Sequence, residues 1–537
     1  MKKFWILILV LVLSIAGFVL YSYNAYSIES IKLTSLNNAA NAEVVEVLLN
    51  KEAPVVVEYW KDGSSEVLRT VRSEAKKEHK VKLLLLEAGS TYHFRVVIDR
   101  LIKVKSKDMD FQTRKQSPWL ARNWVKQEDQ KNAIELAGGL VMLCNARLPG
   151  YITMIDGEGK IKWYWQIDDI GVRAATLTPR GTILAMLRPP VADVIDDTPK
   201  EEADSLNKMK ESIRRGAIGF AGGTAIAEID LSGKMLWRIN MDTVLGGKYK
   251  VIHHDVRMDK AGNIITLVRN QLPFDMSKIG GSGIDTLGGE GILVMNNKGE
   301  KIWEWNIWDK WDVLNDPFIK EFAYDRFHAN SLNLDTDGNY LMSVAIEDQV
   351  WKINATTGDI MWKLGKNGSF KMDSTHYFSF QHTVQINPRG ELMIFDNSLW
   401  KHRSGAVSFK LDTINWVATP SIQAMLPKEK YTSRMGSGYL LPNGNLLQCS
   451  SKTGSVMVTD LKGKILWELN SYFVPYRAEY IPSETWNTFF VKNKLVEHRM
   501  LVSCQLISVC QAELAEARSA TLRQAQGDNR CDIFSLT

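Results

Sequence analysis

The strongest constraint on the fold of this 537-residue chain is a pattern that recurs six times between Lys131 and Asn470. One half of the pattern is a turn glycine followed by a short apolar run. It reads Gly139-Leu140-Val141-Met142-Leu143 and Gly181-Thr182-Ile183-Leu184, with counterparts at Gly262, Gly338, Gly390 and Gly444. The other half is a strand, a Gly/Asp/Asn turn and a second strand ending in Trp, as in Ile155-Asp156-Gly157-Glu158-Gly159-Lys160-Ile161-Lys162-Trp163; the remaining five end at Trp237, Trp303, Trp362, Trp416 and Trp467. From turn glycine to Trp the spacings are 24, 56, 41, 24, 26 and 23 residues. The two long spacings carry insertions: a charged segment, Asp196 to Arg215, read as a surface helix, and a Gly-rich loop, Ile279 to Gly291. A repeat that cannot bury its apolar face alone must stack on its neighbours. Two hairpins per unit, six times over, predict an all-β chain whose main domain, about 131–470, is a six-bladed β-propeller of four-stranded blades. The Trp series then packs between blades and is a core feature.

Ahead of the repeats, residues 28–113 carry short β-rich runs separated by turn signals such as Asp62-Gly63 and Ala88-Gly89. The stretch Leu86-Glu87-Ala88-Gly89-Ser90-Thr91-Tyr92-His93-Phe94 resembles the tyrosine-corner strand of fibronectin type III domains, so a small β-sandwich is expected, with Tyr92 structural and His93 a neighbour. Residues 1–27 open with Lys2-Lys3 and an apolar run from Phe4 to Tyr21, long enough to span a bilayer. They are read as a signal peptide or a membrane anchor, which places everything after Tyr21 outside the cytoplasm. Residues 471–537 form a C-terminal extension: its first part, to about 495, is expected to cover one end of the propeller, and the stretch from Ala512 shows no usable pattern. A net charge of +5, without a dense basic stripe carrying interleaved aromatics, gives no case for nucleic acid. The five cysteines are scattered with no metal spacing, so no disulfide framework or metal site is expected.

Nine histidines occur, and three fall at related places in the repeats. His254 and His382 each lie eight residues before their turn glycine; in the repeat between them that place is Asn330, with His328 two residues earlier, and in the second repeat it is Arg173. Equivalent positions on innermost strands converge on a propeller's central channel, so residues far apart in sequence form one ring. His253 takes the place of His254 if the register slips by one, because such a slip exchanges faces. Arg188 and Arg269, each seven residues after a turn glycine, belong at the other end of the inner strands. Three imidazoles suit zinc, but guanidinium neighbours oppose a dication and favour an anion.

The segments His253-His254-Asp255, Phe327-His328-Ala329-Asn330-Ser331 and Gln381-His382-Thr383, with six blades, a leading β-sandwich and an export signal, resemble the bacterial arylsulfate sulfotransferases over about residues 30–470. The resemblance implies transfer of a sulfuryl group from a phenolic sulfate ester to a histidine and on to another phenol, with no nucleotide sulfate donor and no cofactor. It implies His382 as the nucleophile and His254, His328 and Asn330 around the sulfuryl oxygens. In one respect the chain departs from the family. An Arg is expected on the strand after the His-x-Asn element, but this sequence has Ala345 and Ile346 there. Arg269, taken as the substrate-binding cation, or Arg188 or Arg434 then supplies the charge, or the substrate has changed. The alternative reading is a non-catalytic exported scaffold or ligand-binding propeller, since Thr357-Gly358-Asp359-Ile360-Met361-Trp362 also resembles the Trp-docking repeat of quinoprotein dehydrogenases and scaffold propellers. Such a scaffold would not need aligned histidines.

Overall fold

The computed structural model describes residues 5, 12–14, 25–35, 41–116, 120, 124–126, 136–189, 222–247, 251–471 and 473–488. The charged segment 196–215, most of the 4–21 apolar run and the stretch from Ala512 lie outside them. No helix among the described residues is long and apolar enough to cross a membrane. The described chain is built of antiparallel β-sheets.

Residues 28–112 form two sheets. One pairs Ile28–Ser35, Glu43–Ala53 and Lys76–Leu83, and the other is built on Val55–Lys61 and Thr91–Ile98. Alternation along Glu43–Ala53 buries Val45, Val47 and Leu49 against Val55, Val57 and Phe94, a half-buried strand pattern. The Glu87 amide N–H donates to the Tyr92 hydroxyl at 2.9 Å, the corner bond expected from the sequence.

From Leu140 onward, six sheets follow one another among the described residues. Each turn glycine of the repeat leads into a strand of a different sheet: 140–145, 183–188, 264–275, 340–344, 392–396 and 446–450. Their innermost strands lie side by side, 171–177 against 252–258, then 329–334, then 382–386. Closure uses both ends of the repeat region. Ala478–Ile481 pairs with Leu140–Asn145 as the inner strand of the first sheet, and Trp124–Lys126 adds an outer strand to the last. The limits of 131 and 470 read from the repeats therefore fall inside the closed array, because the pieces that close it carry no repeat of their own.

Three indoles tie neighbouring sheets together. Trp163 Nε1–H donates to Leu231 O in the outer turn of the second sheet, and Trp467 Nε1–H to Gly157 O in that of the first. In the third sheet the bond to Gly358 O comes from Trp305, two residues beyond the expected Trp303. Trp416 does not end a strand: it sits in the turn between Gly405–Asp412 and Val417–Met425 and packs on Phe370, with ring centroids 5.2 Å apart.

The Gly-rich stretch 279–291 is not a loop but largely strand. Ile284–Met295 pairs residue for residue with Ile264–Asp275 in a long hairpin. Glycine is needed there because a Cβ at Gly288 would come 2.0 Å from Tyr324 O, so only a bare backbone can pass beneath the 307–328 segment.

Candidate active site

One register position recurs around the array. In each sheet the second residue after the turn glycine pairs with the inner strand: Val141 with Tyr480, Ile183 with Leu177, Ile264 with Met258, Tyr340 with Leu334, Leu392 with Ile386 and Leu446 with Leu440. Four residues back along the inner strand from each partner stand Tyr476, Arg173, His254, Asn330, His382 and Gly436. In four of the sheets the pairing slips at this point, between Val172 and Ala174, His253 and Val256, Ala329 and Ser331, and His382 and Gln385. A bulge breaks the two-face alternation and re-aims a side chain, which lets successive strands turn polar groups toward one another.

The imidazoles expected from the sequence come together. The His254 ring lies 5.3 Å from His328 and 5.9 Å from Tyr476, and His382 lies 6.4 Å from Tyr476. Tyr476 is the hub. Its hydroxyl donates to Asn330 O at 2.7 Å, and its ring has the Arg173 guanidinium at 4.1 Å and the Arg477 guanidinium at 4.9 Å. Burial holds the Tyr476 phenol up at about 12, so it stays neutral. Sequence reasoning missed Tyr476 and Arg477, because eight residues before Gly139 is Lys131, while the inner strand of the first sheet comes from the far end of the chain. The usable signal was the same register counted on the closing strand.

His382 is held as one tautomer. Its Nδ1 faces two acceptors, Asn397 Oδ1 at 2.8 Å and Phe380 O at 3.0 Å, so the hydrogen resides there. Asn397 is itself fixed, donating its amide to Thr432 O and Met435 O. The lone pair is left on Nε2, where the Met435 N–H approaches at 3.2 Å. Burial pushes the His382 pKa down to about 3; the Asn397 bond opposes this and the charge of His328 adds to it. Gly436 follows Met435 with φ 108, and a Cβ there would meet the Phe395 ring at 2.5 Å. Glycine is what brings this amide up to His382.

His328 is tuned the other way. Burial disfavours its charge, but Asp325 Oδ2 at 2.6 Å from Nδ1 outweighs burial and lifts the imidazole above its ordinary value. Burial alone would raise Asp325, yet the imidazolium, its hydrogen bond and Arg269 hold it at about 2. His254, half-buried, is kept well below its ordinary value by burial, then by His253, His328 and Arg173. His253 lies behind it, Nδ1 to Nδ1 at 2.8 Å, with its Nε2 3.0 Å from Glu290. Imidazoles whose environments push them apart are suited to different proton roles.

The other expected residues sit less simply. Asn330 is fully buried; its amide donates to Gln381 O at 2.9 Å, and its Oδ1 has no hydrogen-bond partner. Arg269 lies 3.3 Å from Asp325 and so balances the carboxylate behind His328. Ala345 and Ile346 put no cation near the imidazoles. The positive charge comes instead from Arg477, bound to Asp255 Oδ2 and His254 O, and from Arg173, which burial and then Arg188, Arg477 and Arg434 lower to about 10. An imidazole nitrogen kept neutral by burial, a second imidazole whose charged form Asp325 favours and clustered guanidinium groups in one buried centre suit group transfer to and from an oxyanion.

Comparison with known proteins agrees with that class. Residues 212–472 match the family model described as arylsulfotransferase (ASST). No curated protein matches the chain. Among solved structures, a protein of unknown function from Bacteroides caccae is 14% identical, with 64% of this chain and 98% of that one covered and a TM-score of 0.38. A streptogramin B lyase is 11% identical, covering 66% and 99%, with a TM-score of 0.31. A virginiamycin B lyase from Staphylococcus aureus is 12% identical, covering 65% and 99%, with a TM-score of 0.30.

Proposed function

We propose that this chain is a six-bladed β-propeller enzyme, preceded by a fibronectin-III-like domain, that carries a sulfuryl group from a phenolic sulfate ester to a second phenol through a sulfohistidine at His382. The observation that supports this most is the His382 geometry, with the proton fixed on Nδ1, the lone pair on Nε2 and a pKa of about 3 that keeps the ring neutral at working pH. In the first half-reaction the Nε2 lone pair forms an N–S bond as the S–O(aryl) bond breaks, and His328 gives its proton to the departing phenoxide. In the second, neutral His328 takes the proton of the incoming phenol, whose oxygen forms the new S–O bond while the N–S bond breaks. Arg173 and Arg477 would stabilise charge on the sulfuryl oxygens, which is most of what such a transfer needs, and the Met435 N–H, which donates to Nε2 in the resting site, is displaced as Nε2 attacks. Asn330 acts as a positioning residue between neighbouring inner strands, and Arg269 supports the Asp325–His328 pair. No nucleotide donor or organic cofactor enters this scheme. The basic, apolar N-terminus supports a site of action outside the cytoplasm, with residues 4–21 as export signal or membrane attachment.

The test is to quench the protein with 4-nitrophenyl sulfate alone and map the modified residue by mass spectrometry. One sulfuryl group on His382, released when a phenol is added, is the expected result. A label on Tyr476, or full turnover by His382→Ala, would overturn the mechanism.

A further inference from the structure

His253 and Glu290 stand behind the imidazoles and have no part in the transfer scheme, yet both are buried, at 6% and 1% exposed. Glu290 belongs to the Ile284–Met295 strand, and its Oε1 accepts the Ala329 N–H at 2.9 Å, between His328 and Asn330. Its Oε2 faces His253 Nε2 at 3.0 Å as an ion-pair contact, and neither atom has a hydrogen-bond partner among the described residues. A buried carboxylate oxygen with no other donor is costly, so a hydrogen belongs on His253 Nε2.

The other nitrogen of His253 meets a second imidazole. Its Nδ1 lies 2.8 Å from His254 Nδ1, with the two rings at 90°. Two ring nitrogens that close share one hydrogen, because two would collide and none would leave two lone pairs opposed. Two arrangements satisfy this. With His253 neutral, its Nδ1 accepts from His254 Nδ1–H, and His254 Nε2 carries a lone pair. With one more proton, His253 holds a hydrogen on each nitrogen and donates from Nδ1, and His254 carries its own hydrogen on Nε2. The same ring turns from acceptor to donor without moving.

The surroundings decide where the added charge rests. Burial, then His253, His328, Arg173 and His382, keep His254 below its ordinary value, and Arg477 Nη2 donates to its carbonyl oxygen at 2.8 Å. His253 is faced instead by the carboxylates of Glu290 and Asp325. At low dielectric the charge belongs beside the carboxylates and away from the guanidinium groups.

We propose that an aryl sulfate binding at these histidines draws one proton from water onto the His253–His254 pair, with Glu290 holding the charge on His253 so that His254 Nε2–H donates to a sulfuryl oxygen. Glu290 and His253 are thus positioning residues that act through His254. The proposal rests on the sulfuryl-transfer reading and adds how the site admits its anionic donor. The proton arrives at His254 Nε2 as the hydrogen between the two Nδ1 atoms passes to His253, and no other bond changes.

The test is calorimetric titration of the full chain with naphthalene-2-sulfonate, an aryl anion whose C–S bond does not transfer. Two amine buffers of different ionisation enthalpy count the protons without competing as anions. The unmodified protein should take up about one proton per sulfonate near neutral pH, and its affinity should fall by up to about tenfold per unit as pH rises. Glu290→Gln keeps an acceptor for the Ala329 N–H and should lose most of the uptake and bind about tenfold more weakly. His253→Asn, which gives His254 a neutral partner, should do the same, whereas His328→Gln should retain the uptake. Full uptake in both Glu290→Gln and His253→Asn, loss of it in His328→Gln, or no sulfonate binding by the unmodified protein overturns the proposal. A His382 label without proton uptake would sink this proposal alone. Proton uptake as expected, with no His382 label, would sink the sulfuryl-transfer reading and leave a proton-coupled anion site.

Discussion

The front sandwich and the centre of the sheet array use histidine in opposite ways. His93, on the sandwich surface, lies between Asp62 at 3.0 Å and Asp110 at 2.7 Å and stacks on Trp60, where water screens both partners. At the centre, His254 packs on His328, and His254 and His382 both meet Tyr476, which also carries guanidinium groups on its ring. The backbones differ in parallel. Within 28–113 a single described non-glycine residue, Leu85, takes a left-handed φ. At the centre His254, His328, Phe380, Thr383 and Met435 all do, and Thr383 is β-branched, the type least tolerant of it. Each such residue costs on the order of 1–3 kcal/mol and persists only where the surroundings over-determine it. The contrast teaches that an aligned histidine is informative when the backbone is distorted to present it, and that a histidine on a regular strand is not.

The largest test of that contrast is His382→Ala against His93→Ala. Loss of the proposed nucleophile should lower kcat by about 10⁴-fold or more, measured as phenol release from an aryl sulfate in the presence of a second phenol. The contrast would be broken if both variants behaved alike.

Next comes Asp325→Asn, expected to lower kcat/KM by about 10²–10³-fold at neutral pH. The sign of the pH effect follows from His328. Its pKa is raised in the folded protein, so the stabilisation from its pair with Asp325 is complete at low pH and is lost as pH rises through the folded value. The alkaline limb of the rate profile should therefore move to lower pH in the variant. A limb that stays in place would remove His328 as the acid.

A smaller effect, on stability alone, is expected at Asp396. Burial raises its carboxyl to about 7, and one oxygen accepts the Ser379 and Ser398 amides. The folded state then binds more protons than the unfolded chain, so stability should fall as pH rises from about 4 through about 7. Asp396→Asn keeps an acceptor and should flatten that fall, raising Tm at pH 8 and leaving it little changed at pH 5.

Tyr476→Phe should cost about 1 kcal/mol by chemical denaturation, because only the bond to Asn330 O is lost while the ring beneath Arg173 remains. His93→Ala is at the bottom of the scale, with activity within about twofold of the parent.

Much of this was legible in the chain. The recurring turn glycines each marked the start of a strand in a different sheet, and the eight-residue offset placed Arg173, His254, Asn330 and His382 in one register. What escaped had physical reasons. Tyr476 and Arg477 belong to the strand that closes the array from the chain's far end, so no offset from Gly139 could reach them. Asp325 lies in an irregular segment, and Asn397 just beyond the end of its strand, where no periodicity applies. The Gly-rich stretch read as a loop because glycine weakens a strand prediction, whereas here a neighbouring backbone demands it at Gly288. Bulges at the inner strands leave no mark in the sequence, although they decide which way each polar side chain faces.

Closure by Ala478–Ile481 also sets an order in time. Tyr476 stands between His254 and His382, and Arg477 clamps Asp255, so the site lacks its hub until nearly all of the ring has been synthesised. Tyr480 meets Leu136 across 344 residues of chain, a contact that forms late in folding. A ribosome-bound or prematurely terminated chain that holds His254, His328 and His382 but stops short of Tyr476 would thus still lack the hub of the site, which is assembled only after the ends have met.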